Sequence, residues 1–287
     1  MSRRFRDAPV SHRRNAGFSL IELMIALVLG LLVIGAAFVV FQSNRSSFRA
    51  SEGLNRIQEG ARVAFELMSS DIRSAGGGGC SSESVVVTTD AVSLAYADTP
   101  IQGSGTELTL VSGEDASYRV TASSNTSVTL DSTQVPDATD LFESGDMILL
   151  CNARKSFIVE ATSVGASTIT FPALPDSYDL RTDEHAPPAS VMVARLRNTR
   201  WYVADNPRGG SSLYVERFGQ PEEVADGVAS VAFTYLSEGA NTYVTAPATW
   251  NNITGIRTTL VLTGDDVDGT ALRRTTSNVV NVRSRTL

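Results

Sequence analysis

At residues 17–22 the chain reads Gly-Phe-Ser-Leu-Ile-Glu, and a long apolar segment begins there. Within residues 18–41, Glu22 is the only charged side chain. As a helix this segment would be about 36 Å long, which is enough to cross the hydrocarbon core of a bilayer. A carboxylate inside such a helix costs about 2.5–3.5 kcal/mol on insertion scales. An anchor alone does not need Glu22, so we expect a positive charge from another molecule to pair with it.

A basic leader precedes the apolar segment. Residues 1–17 carry five arginines and Asp7, and they end in Gly17. With Phe18, Glu22 and the apolar helix, this order resembles the cleavage and N-methylation motif of type IV prepilins and of type II secretion pseudopilins. The resemblance implies that a prepilin peptidase cuts between Gly17 and Phe18 and methylates the new N-terminus at Phe18. It also implies that Glu22 pairs with the N-terminal amine of a neighbouring subunit, since opposite charges share an apolar interior only as a pair.

Two other interpretations of the N-terminus are open. A secretory signal peptide also has a basic start and an apolar stretch, and residues 35–37 would be its small-residue exit. The apolar segment is longer than a usual signal core, however, and neither a signal peptide nor a plain signal anchor explains Glu22. The arginines before the segment favour a cytoplasmic N-terminus. We therefore expect a single-pass inner-membrane protein with a periplasmic head, which reaches the pilus or cell surface after assembly.

Beyond residue 41 the sequence predicts that the helix continues. Apolar side chains recur at spacings of three and four, which places them on one face of a helix that packs against the rest of the chain. These residues are Leu54, Ile57, Ala61, Phe65, Met68 and Ile72. The charged residues between them, Asp71 among them, are expected on a solvated face. We expect one helix over residues 18–75, ended by the four glycines at 76–79.

Residues 80–287 are predicted to form a β-rich head. Short runs of Val, Thr, Ile and aromatic residues alternate with Gly, Asp, Asn and Pro, a pattern typical of antiparallel sheets. The predicted runs are 85–88, 106–111, 127–130, 147–151, 157–161, 191–196, 213–218, 228–235, 257–262 and 278–282. Residues 176–190 are expected to be a surface loop. The fold class is therefore α+β: a long N-terminal helix, apolar in its first half and amphipathic in its second, packed on an antiparallel sheet as in pilins.

The chain has two cysteines, Cys80 and Cys151, and both follow the apolar segment. They are expected in an oxidising compartment, where a disulfide between them is the default expectation. Such a bond would stabilise the head by about 4 kcal/mol in the chain-entropy description. Two buried free thiols are the alternative.

The sequence favours a protein without catalysis. Loss of the leader leaves His185 as the one histidine, in a polar stretch, and no Gly-x-Ser-x-Gly turn or phosphate-binding loop accompanies it. No catalytic residue and no cofactor are therefore predicted. Asp265, Asp266 and Asp268 could offer oxygen ligands to calcium, but the calcium-loop pattern is incomplete. An acidic turn between two strands is favoured, and no metal is predicted.

A basic and aromatic run at residues 195–202 contains Arg195, Arg197, Arg200, Trp201 and Tyr202. Such a run could stack on and neutralise nucleic acid. The net charge is −7, and loss of the leader would make it −11. An acidic chain of this kind does not favour a nucleic-acid binder. Two strand segments with exposed arginines are the favoured interpretation, and no nucleic acid is expected.

Several head segments extend the resemblance. Residues 72–76, 212–217, 224–228 and 278–283, together with the large head, resemble PilW-type minor pilins of the type IV pilus. The resemblance implies a structural subunit that primes or assists pilus assembly near the filament tip. Its implied partners are other minor pilins, the major pilin, the prepilin peptidase and the inner-membrane assembly machinery. The alternatives are a J-type minor pseudopilin of type II secretion and, in another class, a membrane-anchored periplasmic enzyme or ligand-binding protein.

Overall fold

The structure is a computed structural model that describes residues 19–80, 84–87, 90–175, 191–267 and 270–282. The chain divides into two compact units, of which one ends at Glu52 and the other begins at Gly53. Helix α1 runs over Leu20–Ser74 and is followed by a large sheet in which most strands pair antiparallel. The predicted α+β class is therefore confirmed.

The other elements all belong to the second unit. In the described residues, a short helix, a 3₁₀ turn at Ala138–Asp140 and fifteen strands follow α1. In chain order they are β1 (Val85–Val86), α2 (Ala91–Ala97), β2 (Ile101–Gly103), β3 (Leu108–Gly113), β4 (Tyr118–Ser123), β5 (Ser127–Leu130), β6 (Met147–Cys151), β7 (Lys155–Glu160), β8 (Ser163–Val164), β9 (Thr168–Thr170), β10 (Met192–Asn206), β11 (Gly210–Arg217), β12 (Gln220–Asp226), β13 (Val228–Ser237), β14 (Ile253–Val267) and β15 (Thr270–Asn281). Each of the ten predicted runs contains part of a strand.

Strand β10 belongs to a twelve-stranded sheet and pairs with four of its strands. Its first residues pair with β6 on one edge and with β4 on the other, and Met192 lies opposite both Cys151 and Arg119. Its later residues pair with β3 and β11, from Leu196 to Asn206. The ladders are antiparallel except that β1 pairs parallel to β7. Strands β13, β14 and β15 form a separate antiparallel sheet.

The largest core of the head lies between the second part of α1 and the strands that face it. The predicted apolar stripe is buried at Ile57, Ala61, Met68 and Ile72, and Phe65 is partly buried. The side chain of Leu54 lies outside the described part. The strands supply Trp201, Leu213, Val215, Phe233, Tyr235, Ile256, Leu260 and Val280. Full burial of a large aliphatic side chain contributes about 1.5–3 kcal/mol, so this core fixes the helix on the sheets.

Strands β4–β9, with the first part of β10, enclose a second core. Its buried side chains include Val120, Phe142, Ile148, Phe157 and Ile169. Helix α2 covers a smaller cluster through Tyr96, which packs with Leu149, Ile158 and Leu196. Burial raises the pKa of Tyr96 to about 12, so this ring stays neutral at physiological pH.

The glycines after α1 do more than end the helix. Gly76 has a φ of 66°, the left-handed conformation in which helices often end, and its N–H donates to the carbonyl of Val111 in β3. A Cβ on Gly78 would lie 2.6 Å from the carbonyl oxygen of Gly113, and a Cβ on Gly113 would lie 2.7 Å from that of Gly78. Only two glycines allow the backbones to approach so closely, and this approach holds the helix end against β3.

Candidate functional site

Glu22 lies in the first turn of α1, among apolar side chains. The N–H groups of Glu22 and Leu23 both donate to the carbonyl of Ser19, at 3.0 and 3.1 Å. Its neighbours Ile21 and Leu23 are exposed. No basic side chain of the described residues forms an ion pair with Glu22. The N-terminal end of a helix is a favourable place for this carboxylate.

The first part of α1 presents a continuous apolar surface. Its most apolar window of 18 residues has a mean hydropathy of 3.0, and no part of that window is buried within the protein. By length and composition this helix could cross a membrane. Exposed apolar surface of this extent is rare on monomeric soluble proteins and is typical of segments that contact lipid or other apolar helices. Gly17 and Phe18, the predicted cleavage pair, lie outside the described residues.

A second carboxylate of α1, Asp71, has the opposite surroundings. It is 4% exposed, and the prediction that it lies on a solvated face was wrong. Its Oδ2 accepts from Nε1 of Trp201 at 3.0 Å and from Nη2 of Arg217 at 2.9 Å, while Nη2 of Arg197 lies 3.3 Å from its Oδ1. Two guanidinium groups and an indole thus compensate one buried charge and tie α1 to β10 and β11.

The periodicity of the helix contains the signal for this burial. Buried Ala64 and Met68 precede Asp71 by seven and three residues, so Asp71 falls on the same stripe. The prediction of a solvated position for Asp71 considered only its charge. Its two arginine donors, Arg197 and Arg217, lie 126 and 146 residues away in the sequence. A local pattern cannot report such partners.

A disulfide joins the exit of α1 to the sheet. The structure links Cys80 to Cys151, with the two Cα atoms 5.9 Å apart. Cys80 follows the glycine segment and Cys151 ends β6. The bond therefore ties the segment after the helix to the strand that pairs with the first part of β10, close to where the glycines contact β3.

The basic and aromatic run at 195–202 is one continuous stretch of β10 rather than two strand segments. Its arginines are partly buried and paired. Nη2 of Arg200 lies 2.8 Å from Oε1 of Glu107, and Nη2 of Arg195 lies 3.4 Å from Oε1 of Glu114. The hydrogen bond from Arg200 to Glu107 raises the pKa of Arg200 above its usual value. Carboxylates of the same head thus already neutralise these cations.

The described residues contain no group of three or more side chains that could hold a metal ion. Residues 264–267 of the predicted acidic turn belong to β14, and β15 begins at Thr270. The side chains of Asp265, Asp266 and Asp268 lie outside the described part of the chain, as do His185 and the predicted loop at 176–190. The interpretations of these residues stay predictions.

Comparison with known proteins bears on the N-terminus. A family model for the prokaryotic N-terminal methylation motif matches residues 12–38. The match includes Gly17, Phe18 and Glu22, and it extends over most of the apolar segment. No curated protein and no solved structure matches the chain. The motif supports a type IV pilin or pseudopilin-like protein, a class whose members are structural subunits that assemble with other pilins.

Proposed function

We infer that this chain is a minor pilin of the type IV pilus, a structural subunit without catalysis that primes or assists filament assembly near the tip. The observation that carries the proposal is Glu22, a carboxylate in an exposed apolar helix within a prepilin-type motif that has no ion-pair partner among the described residues. A filament supplies the missing cation, because the N-terminal amine of one subunit lies in the same apolar interior as the carboxylate of the next.

In this proposal the precursor is a single-pass inner-membrane protein. Residues 1–17 are the leader, residues 18–41 span the bilayer, the helix extends to about residue 75, and residues 80–287 form the periplasmic head. The prepilin peptidase cuts between Gly17 and Phe18 and methylates Phe18. The mature subunit then enters the filament through the inner-membrane assembly machinery, together with other minor pilins and the major pilin. A disulfide between Cys80 and Cys151 suits a head that folds in the oxidising periplasm.

A J-type minor pseudopilin of type II secretion is the second candidate, because the matched motif is shared by pilins and pseudopilins. The two roles require the same processing and the same use of Glu22. They differ in the assembly that contains the protein: a minor pilin is found in sheared pili, whereas a pseudopilin is needed for secretion. A search for the protein in sheared pili, and a measurement of secretion after deletion of its gene, distinguish the two roles.

Replacement of Glu22 tests the assembly role. Glu22→Ala leaves the cleavage pair intact, so the precursor should be processed normally, but the protein should be lost from sheared filaments by at least tenfold. Glu52→Ala is the matched control, since it removes an exposed carboxylate of α1 outside the apolar segment. It should enter filaments like the unaltered protein. Normal incorporation of Glu22→Ala would contradict the pairing.

A further inference from the structure

Strand β15 has a free edge. It runs over Thr270–Asn281 and pairs with β14, with one register shift between Thr263 and Asp266 of β14, and no described strand pairs with its other edge. A strand edge of this length presents a row of backbone donors and acceptors that can pair with another extended chain. Short strands, prolines and bulges usually protect such edges, but β15 has twelve residues and no proline.

One face of β15 is directed towards α1. Val280 is buried in the core beneath the helix, and Nδ2 of Asn278 donates to Oγ of Ser69 at 3.2 Å. Thr276 and Arg274 continue this face. Side chains of a strand added beside β15 would alternate in the same way, so every second one would enter the space between α1 and the sheet.

That space is a groove of about 390 Å³. Its walls come from one face of α1 and from β14 and β15. The lining residues are Ile57, Gln58, Ala61, Arg62, Phe65, Leu262, Arg274 and Thr276. Ile57, Ala61 and Leu262 are buried, which makes the floor apolar. Because a helix with its side chains is about 10–12 Å across, the groove suits a few side chains of an extended segment rather than a whole helix.

Two cations at the rim of the groove have no ion-pair partner in the part of the chain that the structure describes. Arg62 and Arg274 are exposed, and neither forms an ion pair with a described residue. Elsewhere in this acidic head the arginines of β10 and β11 are paired with carboxylates, as at Arg197 and Arg217. An occupant that combines apolar and carboxylate side chains would complement both the floor and the rim of the groove.

We propose that β15 and this groove bind an extended segment of a partner protein, which adds to the free edge as a further strand. Every second side chain of this segment is directed beneath α1, and these positions carry apolar and acidic residues in turn. Backbone hydrogen bonds to β15 supply part of the affinity, and Arg62 and Arg274 select the acidic side chains. The surface lies entirely in the unit that begins at Gly53 and does not use Glu22. Its failure would leave the processing and assembly role untouched, and failure of that role would leave this surface standing.

The probe is a fluorescent glutamate–valine peptide of eight residues. Valine and glutamate occupy in turn every second position, on the face that would enter the groove, and threonine occupies the positions between them. Its binding to the full-length, detergent-solubilised protein is measured by fluorescence anisotropy. We expect saturable binding of this peptide and at least tenfold weaker binding of the matched lysine–valine peptide. Equal binding of the two peptides, or no binding of either, would overturn the proposal.

Charge reversal locates the site. Arg274→Glu and Arg62→Glu should each weaken binding of the glutamate peptide at least fivefold, and the double variant should prefer the lysine peptide. Arg273→Glu is the matched control, because adjacent residues of a strand face opposite sides and Arg273 is directed away from α1. It should change the affinity less than twofold. An equal loss of affinity with Arg273→Glu would indicate a general electrostatic effect and would contradict binding in the groove.

Backbone methylation of the peptide tests strand addition on the unaltered protein. In one variant of the glutamate–valine peptide, every second backbone nitrogen carries a methyl group. This variant keeps its side chains, but its methylated edge cannot donate backbone hydrogen bonds to β15. The two possible alternating patterns are both synthesised. One of them should lose at least tenfold in affinity while the other binds. Unchanged binding of both would mean that side chains alone are recognised, and it would overturn the added strand.

Discussion

Two carboxylates of the same helix show how differently the two units of the chain deal with charge. Glu22 lies among exposed apolar side chains and has no partner in the described chain, whereas Asp71 is buried and accepts from Arg197, Arg217 and Trp201. The head satisfies its buried charge internally and needs no other molecule to do so. The carboxylate of the apolar segment has no partner among the described residues, and in the proposed function the pair is completed on assembly.

The strongest way to break this comparison is to remove Asp71. Asp71→Ala leaves the largely buried guanidinium groups of Arg197 and Arg217 without an anion, so the head should lose about 3–5 kcal/mol of its free energy of unfolding. Denaturant unfolding of the detergent-solubilised chain, followed by the fluorescence of buried Trp201, measures this loss. Glu66→Ala, an exposed carboxylate of the same helix, is the control and should change the free energy by less than about 0.5 kcal/mol.

A loss below about 1 kcal/mol for Asp71→Ala would contradict the claim that this carboxylate fastens α1 to the sheet. The same measurement sharpens the contrast with the apolar segment. Glu22→Ala should leave the unfolding of the head unchanged, because no described side chain of the head pairs with Glu22.

A smaller effect is expected at a third carboxylate, Glu223, an exposed residue of β12 that pairs with Arg208 between β10 and β11. Hydrogen bonds from Arg208 and then from Ser212 lower the pKa of Glu223 below its ordinary value of 4.5. The folded state therefore favours the ionised form, so its contribution is present above about pH 4.5 and is lost as the pH falls through the lowered pKa. Because the pair with Arg208 is exposed, this contribution should be below about 1 kcal/mol.

Unfolding measured from pH 7 to pH 3 tests this contribution. Glu223→Gln should be less sensitive to acid than the unaltered chain over the lower part of this range. Arg208→Ala should have a similar effect, and the double variant should add little to either, as for residues that act through one contact. Parallel stability curves for Glu223→Gln and the unaltered chain would show that the contact does not favour the ionised form.

The sequence predicted the parts of the fold that depend on local patterns. The apolar segment, the amphipathic stripe and the ten strand runs all correspond to elements of the structure, since each depends on periodicity over a few residues. Strand β12 was missed because its sequence, Gln-Pro-Glu-Glu-Val-Ala-Asp, is polar and begins near a proline, which suits only an edge strand. Helix α2 was missed because seven residues give too short a pattern.

Non-local features were out of reach. The burial of Asp71, the parallel pairing of β1 with β7 and the groove beside β15 all depend on residues far apart in the chain. At the candidate site, sequence context alone singles out Glu22, and its role in subunit docking stays a prediction. A charge without a partner in an apolar helix is a local anomaly, and a local anomaly is visible in a sequence.

The N-terminus of the mature protein tests the central claim most directly. Mass spectrometry of the protein isolated from filaments of its native cells should find a chain that begins at Phe18 and carries a methyl group on its amine. That amine is the cation which the account assigns to Glu22 of a neighbouring subunit. Filaments whose subunits retain residues 1–17 would have no such amine within the apolar interior, and they would contradict the account.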